Sequence, residues 1–382
     1  MIKIKKDLVL IRPRHTPPTS QKLEVIGTIN PGAARLPNGD IVLYVRVMEK
    51  LIQDEDEKHY FSPRMVGKHE FNMVLDKFKK EEIIQKNKLD IVFKDYTKRL
   101  NFISHIKKII LDSSGMKVKR IEQEPIIYGL FWDGELGIED PRITKMKDHY
   151  LMTYVSLAQE TNVSTSMAIS NDCENWYRRG LIFREQNKDV VLFPETINKR
   201  YVAINRPEGS FEFTSPHMWM SFSTDLRLWG HSRSIILGKR GEWNCGRVGA
   251  GPPPLKTEKG WLLFYHSVLQ KEIDGDNSLM NKLKKLFGKE IEKENRYSYV
   301  VGAALFDLDN PRKILAKTKE PIILPKKSYE RGVLENKDVV FPTGLVEDLN
   351  GKDLLLYSGG GDVVTSVKKI SLGEVFDRLE KV

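Results

Sequence analysis

A pattern that returns five times constrains this chain more than any other feature. It consists of a proline, a short strand, a polar turn and a second apolar strand. It is read at Pro31 in "NPGAARLPNGDIVLYVRV", Pro141 in "EDPRITKMKDHYLMTYVS", Pro194 in "FPETINKRYVAINRP", Pro254 in "PPPLKTEKGWLLFYHSV" and Pro342 in "FPTGLVEDLNGKDLLLYSGGGD". The turns carry hairpin chemistry: Asn38-Gly39, Asn198-Lys199, Lys259-Gly260 and Asn350-Gly351. A second marker, Ser-x-Asp-x-x-x-Trp, occurs at Ser170 and Ser223, 53 residues apart, and Pro141 and Pro194 are 53 apart as well. A period of about fifty residues with several short strands per unit fits a propeller blade. The fold expected is all-β, a five-bladed β-propeller forming one domain over residues 1–382.

Two intervals are too long for that period. Pro31 to Pro141 spans 110 residues and Pro254 to Pro342 spans 88. The first excess falls in 66–122, where "HEFNMVLDKFKKEEIIQKNKL" and "YTKRLNFISHIKKIILDSS" show helical periodicity. A helical insertion between the first two blades is therefore expected, as a flap over a pocket or a subunit contact. The second falls in 270–296, read as a charged loop or short helix.

Composition narrows the class. With 40% hydrophobic and 30% charged residues, the chain is an ordinary globular sequence. No apolar run reaches the length of a membrane span, and the lysine-bearing N-terminus lacks the apolar core of a signal peptide. Two distant cysteines, Cys173 and Cys245, fit a reducing cytoplasm better than a disulfide scaffold. The net charge is +10, but the lysines are spread and not interleaved with aromatics, so neither nucleic acid nor membrane is an expected partner. No Cys/His cluster calls for a metal.

In a propeller, equivalent positions of every blade converge on a central channel. The proline-side strand ends bring Asn30, Asp140 and the stretch from Asp189 to Glu195, with Arg247 just before "GAGPPP". The far ends of the following strands bring Arg46, Arg206, His266 and Asp362. The glycines of "GAGPPP" and "SGGGD" are read as allowing a ligand close to the backbone. The expected result is a basic pocket facing one or two carboxylates.

"GIEDPRI", "NKDVVLFPE", "NRP", "GRVGAGPPPLKTEKGWLLFYHS", "YVVGAALFDLDNP" and "YERGVLENKDVVFPTG" together resemble the β-mannoside phosphorylase family, glycoside hydrolase family 130, over about residues 24–365. The resemblance implies a five-bladed propeller and an inverting cleavage of β-mannosides by inorganic phosphate, giving α-mannose 1-phosphate. It implies Asp140 as general acid, acting through a mannose hydroxyl. It places Arg206 and Arg247 on phosphate, with His266, Tyr299, Asn187 and Lys188 beside them, and Asp362 on sugar hydroxyls; Asn30, Arg46 and Arg142 are read as substrate-binding as well. Phosphate is the co-substrate and no cofactor or metal is implied. An anionic nucleophile needs no general base, but it needs a cationic cradle, which arginine forks supply. The chain departs from the family at Asn205, where histidine is common, at Arg247, where lysine is common, and at Ser267, where glycine is usual.

Two rivals remain on the sequence: an inverting hydrolase, which needs a second carboxylate as base, with Glu195 the first to test, and a non-catalytic carbohydrate-binding propeller. Several residues have plainer readings. Asp140 and Arg142 form a turn with an ion pair, Arg46 is structural as readily as ligand-binding, and Trp176 and Trp229 are core. Leaving sugar, linkage and self-association stay open.

Overall fold

The computed structural model describes residues 1–209, 215–238, 242–274, 293–332 and 337–382, and they are almost entirely β. Three four-stranded antiparallel sets follow one another along the chain. The first holds Leu23–Arg35, Ile41–Leu51, Phe102–Leu111 and Val118–Ile127. The second holds Gly137–Met146, His149–Ala158, Asn162–Ser170 and Tyr177–Phe183. The third holds Asn187–Leu192, Tyr201–Pro207, Met218–Ser223 and Gly230–Ile236. A ten-stranded sheet holds the N-terminal strand and the strands from Val248 onward, and it divides at a short parallel pairing of Tyr297–Tyr299 with Lys337–Val339. On one side lie Val248–Ala250, Gly260–Asp274, Lys293–Phe306 and Ile314–Thr318, the fourth set. On the other lie Lys337–Glu347, Asp353–Gly360, Val364–Ser371 and the N-terminal strand Ile4–Ile11, the fifth set.

The core sits between the sets. Each successive pair shares an apolar cluster. Val42 and Tyr44 meet Ile143 and Met152 between the first and second, and Leu151 meets Leu192 between the second and third. Val202 meets Trp261 between the third and fourth, and Phe264 meets Leu356 between the fourth and fifth. Leu355 and Tyr357 return to Leu43 and Val45 of the first. Strands covered on both faces read as continuous apolar runs, as "IVLYV" does. The N-terminal strand is tied in by the fully buried Lys368, whose Nζ donates to Asp7 at 3.0 Å and Glu330 at 2.6 Å.

The Ser-x-Asp-x-x-x-Trp marker is a turn between the third and fourth strands of a set. Asp172 accepts the backbone N–H groups of Glu174 and Asn175, and Asp225 accepts those of Arg227 and Leu228. Trp176 stands edge-on to Tyr44 and Trp229 packs on Phe183, the core role expected of both. The prolines are less equivalent than they read. Pro31, Pro141 and Pro342 lie inside the first strand of their sets, but Pro194 follows Asn187–Leu192 and Pro254 precedes the short strand Leu255–Thr257.

The helical insertion is corrected. Residues 66–122 contain no α-helix, only strands and one short 3-10 turn, Lys80–Glu82. Two small sheets, His59–Met65 with Met73–Lys79, and Ile83–Lys86 with Asp90–Phe93 and Lys98–Leu100, form a module between the second and third strands of the first set. Their lysines and glutamates project from half-covered strands, which imitates a polar helix face. Residues 102–127 are not inserted at all, since they supply two strands of the first set. Lys107 there is buried, with its Nζ on the Pro17 carbonyl at 2.6 Å, rather than solvated. The 270–296 reading lies largely outside the described residues; its flanks are a long hairpin running from Trp261 opposite Phe306 to Asp274 opposite Lys293. No described helix is long and apolar enough to cross a membrane.

Lys50 faces Phe102 across the first set. Replacing 52–101 with a two-residue hairpin turn is therefore expected to leave a folded protein with a cooperative thermal transition. Removing 66–122 is expected to unfold it, because two core strands go. Circular dichroism melting of the two deletions checks this.

Candidate active site

Three first strands are broken by the same device. The pairing register slips between Ile29 and Gly32, between Glu139 and Arg142, and between Lys188 and Val191. Each bulge holds one residue at positive φ: Asn30 at 50°, Asp140 at 50° and Asp189 at 54°. Asn and Asp accept that conformation better than other side chains, and a bulge re-aims the side chain it carries. Asp362, beyond the "SGGG" strand end, is at 56°.

Asn30, Asp140, Asp189 and Asp362 all line one cavity of about 320 Å³, within the range that holds a small ligand. Arg46, Lys188, Arg206, Arg247, His266 and Tyr299 line it too. Nine of the expected site residues thus converge from all five sets. Asp140 accepts from the Asn30 amide at 2.7 Å and from Arg46 at 3.1 Å. Burial alone would raise its carboxyl; Arg46, Arg142, Asn30 and Lys188 outweigh burial and hold it below the usual aspartate range. Arg46 also grips Glu139 at 2.5 Å and Ser104 at 3.1 Å. Its two readings merge: it holds both carboxylates and faces the cavity.

Two expected residues lie behind the cavity instead of lining it. Arg142 is 1% exposed. Its guanidinium donates to the carbonyls of Gly251 and Asp140, each at 2.8 Å, and rests over Phe341, which does face the cavity. Asn187 donates to Asn205 at 3.2 Å, and Asn205 donates to Ser221 at 2.9 Å. Asn205 is the middle member of this buried amide chain.

The two arginines differ in setting. Arg206 is buried but not unpaired: its Nε lies 2.8 Å from Asp189 and its Nη1 2.8 Å from Glu208. Arg247 is exposed at the cavity wall. The glycines also have another use. A Cβ at Gly249 would sit 2.2 Å from the Asp189 carboxylate, and one at Gly359 would sit 2.1 Å from Asn30. They make room for site side chains, not directly for a ligand.

Asp189, brought to the channel in the sequence reading as the start of the stretch to Glu195, lines the cavity, as do Glu208, Lys337 and Phe341, which that reading did not name. What that reading did not assign to Asp189 is a role, because the repeat was aligned on Pro194. Glu195 is half-exposed, bonded to Lys256 at 2.6 Å and outside the cavity lining, so it is no candidate base. Among the described residues, no group of three or more His, Cys, Asp or Glu is placed to hold a metal ion.

His266 lies 3.5 Å from Asp189, and its ring meets Phe341 at 4.4 Å. Burial pushes its imidazole down to about 4, against the opposing pull of Asp189. Burial likewise pushes His105 down to about 3. Both rings stay neutral while the unfolded chain takes up protons near pH 6.5, so the unfolded state binds more protons in that window. Stability is expected to fall as pH drops from about 6.5 toward 4, and melting curves between pH 7 and 5 measure it. A His105→Phe variant should show a shallower loss.

The family model described as beta-1,4-mannooligosaccharide phosphorylase matches residues 68–381. The chain belongs to glycoside hydrolase family 130. It is 32% identical to a beta-1,2-mannobiose phosphorylase of Listeria innocua over 97% of this chain and 96% of that one. The solved structure of a Listeria innocua beta-1,2-mannobiose phosphorylase, in complex with beta-1,2-mannobiose, superposes with a TM-score of 0.80 at 31% identity, covering 97% and 96% of the two chains. A 1,2-beta-oligomannan phosphorylase of a Thermoanaerobacter species is 33% identical over 63% of this chain and 70% of its own. More distant family 130 structures include hydrolases that target beta-1,2 mannosidic linkages, with a TM-score of 0.64 at 19% identity over 96% and 91% of the chains, a likeness of fold.

Proposed function

We propose that this family 130 protein is a β-mannoside phosphorylase of the hexosyltransferase type. It cleaves with inorganic phosphate as co-substrate and gives α-mannose 1-phosphate with inversion. One observation carries the reading. A mostly covered carboxylate, Asp140, shares a small cavity with Lys188, Arg206, Arg247 and Lys337. The first-strand carboxylates beside it are engaged by cations, Glu139 by Arg46 and Asp189 by Arg206. That suits an anionic nucleophile better than a base-activated water. Asp140 is assigned as general acid. Arg206, Arg247, His266, Tyr299 and Lys188 serve phosphate, and Asn30, Arg46 and Asp362 serve the sugar. Arg142 and Asn187 support these residues from behind.

The five strand sets are read as the blades of a five-bladed propeller. The cycle of shared apolar clusters, returning from the fifth set to the first, supports this. The linkage best supported is β-1,2, on the near full-length likeness to the Listeria enzyme. Incubation with mannose 1-phosphate and a panel of acceptors tests it. A β-1,2-linked mannoside should form, and exclusive formation of another linkage would overturn that assignment.

A further inference from the structure

A second cavity adjoins the cationic end of the central one. Arg247, Tyr299 and Lys337 also line this second cavity of about 410 Å³, whose other walls include Cys245, Val268 and Tyr297. The two differ in charge. The central cavity is lined by six acidic residues as well as its cations, whereas the described lining of the second carries Arg247 and Lys337 and no acid. Its apolar surfaces also differ in origin. Ile29, Met48, Leu89, Leu100 and Phe102, from the first set and its module, flank only the central cavity and suit sugar ring faces.

We propose that the second cavity is an anion passage, by which inorganic phosphate enters and hexose 1-phosphate leaves, separate from the mouth used by the oligosaccharide. The proposal rests on the phosphorylase reading. With two openings, neither substrate has to pass the other on its way in. A second opening, whose described lining holds two cations and no carboxylate, draws in an anion and does not favour a neutral sugar. The overall charge of +10 acts in the same direction.

Cys245 gives direct access to a test. It is half-buried on the wall of the second cavity and absent from the first. The other cysteine, Cys173, is fully buried, with its thiol pushed up to about 11 by burial, so a maleimide distinguishes the two. The folded enzyme is labelled with N-ethylmaleimide, a single adduct is confirmed by intact mass, and β-1,2-mannobiose phosphorolysis is measured. The labelled enzyme should lose about tenfold or more in kcat/KM for phosphate, with kcat/KM for the disaccharide at saturating phosphate moving by less than about twofold. Cys245→Trp should reproduce the split, and in Cys245→Ser the maleimide should have no effect. An unchanged phosphate constant after labelling, or an equal fall in both constants, would refute the passage and leave the phosphorylase reading standing. Failure of the unlabelled enzyme to make any sugar phosphate would sink that reading, and the passage with it.

Discussion

Asp140→Asn is expected to lower phosphorolysis by roughly 10²–10⁴-fold, the usual cost of losing a positioned general acid, while disaccharide binding persists. Asparagine keeps the shape of the bulge, and its carbonyl oxygen can still accept from Asn30 and Arg46, which bond Asp140 at 2.7 and 3.1 Å. Only the charge and the transferable proton are lost. The ligand-free site holds Asp140 ionised, because Arg46, Arg142, Asn30 and Lys188 outweigh its burial. An acid must therefore recover its proton during the cycle. Phosphate brings negative charge among those same cations and raises the carboxyl pKa. Phosphate binding should accordingly take up a proton, visible in calorimetry as a dependence of the heat on buffer ionisation, and this uptake should shrink in Asp140→Asn. Wild-type turnover by the variant would remove Asp140 from the chemistry.

Arg206→Lys should weaken phosphate use by roughly tenfold or more, a charge-assisted fork being worth about 1.5–3 kcal/mol. Lysine keeps one positive charge between Asp189 and Glu208 but cannot reproduce guanidinium contacts to both and to phosphate. Arg206→Ala is the harsher change. It leaves buried Asp189 short of its main cation and is expected to destabilise the fold as well. Initial rates against phosphate and against disaccharide separate the effects: for the lysine variant, kcat/KM for phosphate falls and disaccharide affinity in titration calorimetry holds. An equal fall in both would make Arg206 a structural residue only.

The repeated sets and the convergence of Asn30, Arg46, Asp140, Arg206 and His266 were legible because hairpin turns and apolar alternation are local signals. Three things were not. "DKFKKEEIIQK" reads as a helix because strands covered on one side leave Lys and Glu exposed at spacings a helix would also give, and only tertiary packing decides. The register of Pro194 was misjudged because a proline marks either a bulge inside a strand or the end of one, and so Asp189 was read only as part of a stretch and given no role. The depth of Arg142 was hidden as well: "EDPRI" shows an arginine two residues after an acid, but not that a bulge turns the two side chains different ways.

One assay bears most directly on the central claim. Purified enzyme is given β-1,2-mannobiose with and without inorganic phosphate, and products are followed by anomeric proton and phosphorus magnetic resonance. The account predicts that cleavage depends on phosphate and yields α-mannose 1-phosphate and mannose in equal amounts. Steady release of free mannose alone, unaffected by added phosphate, would contradict it.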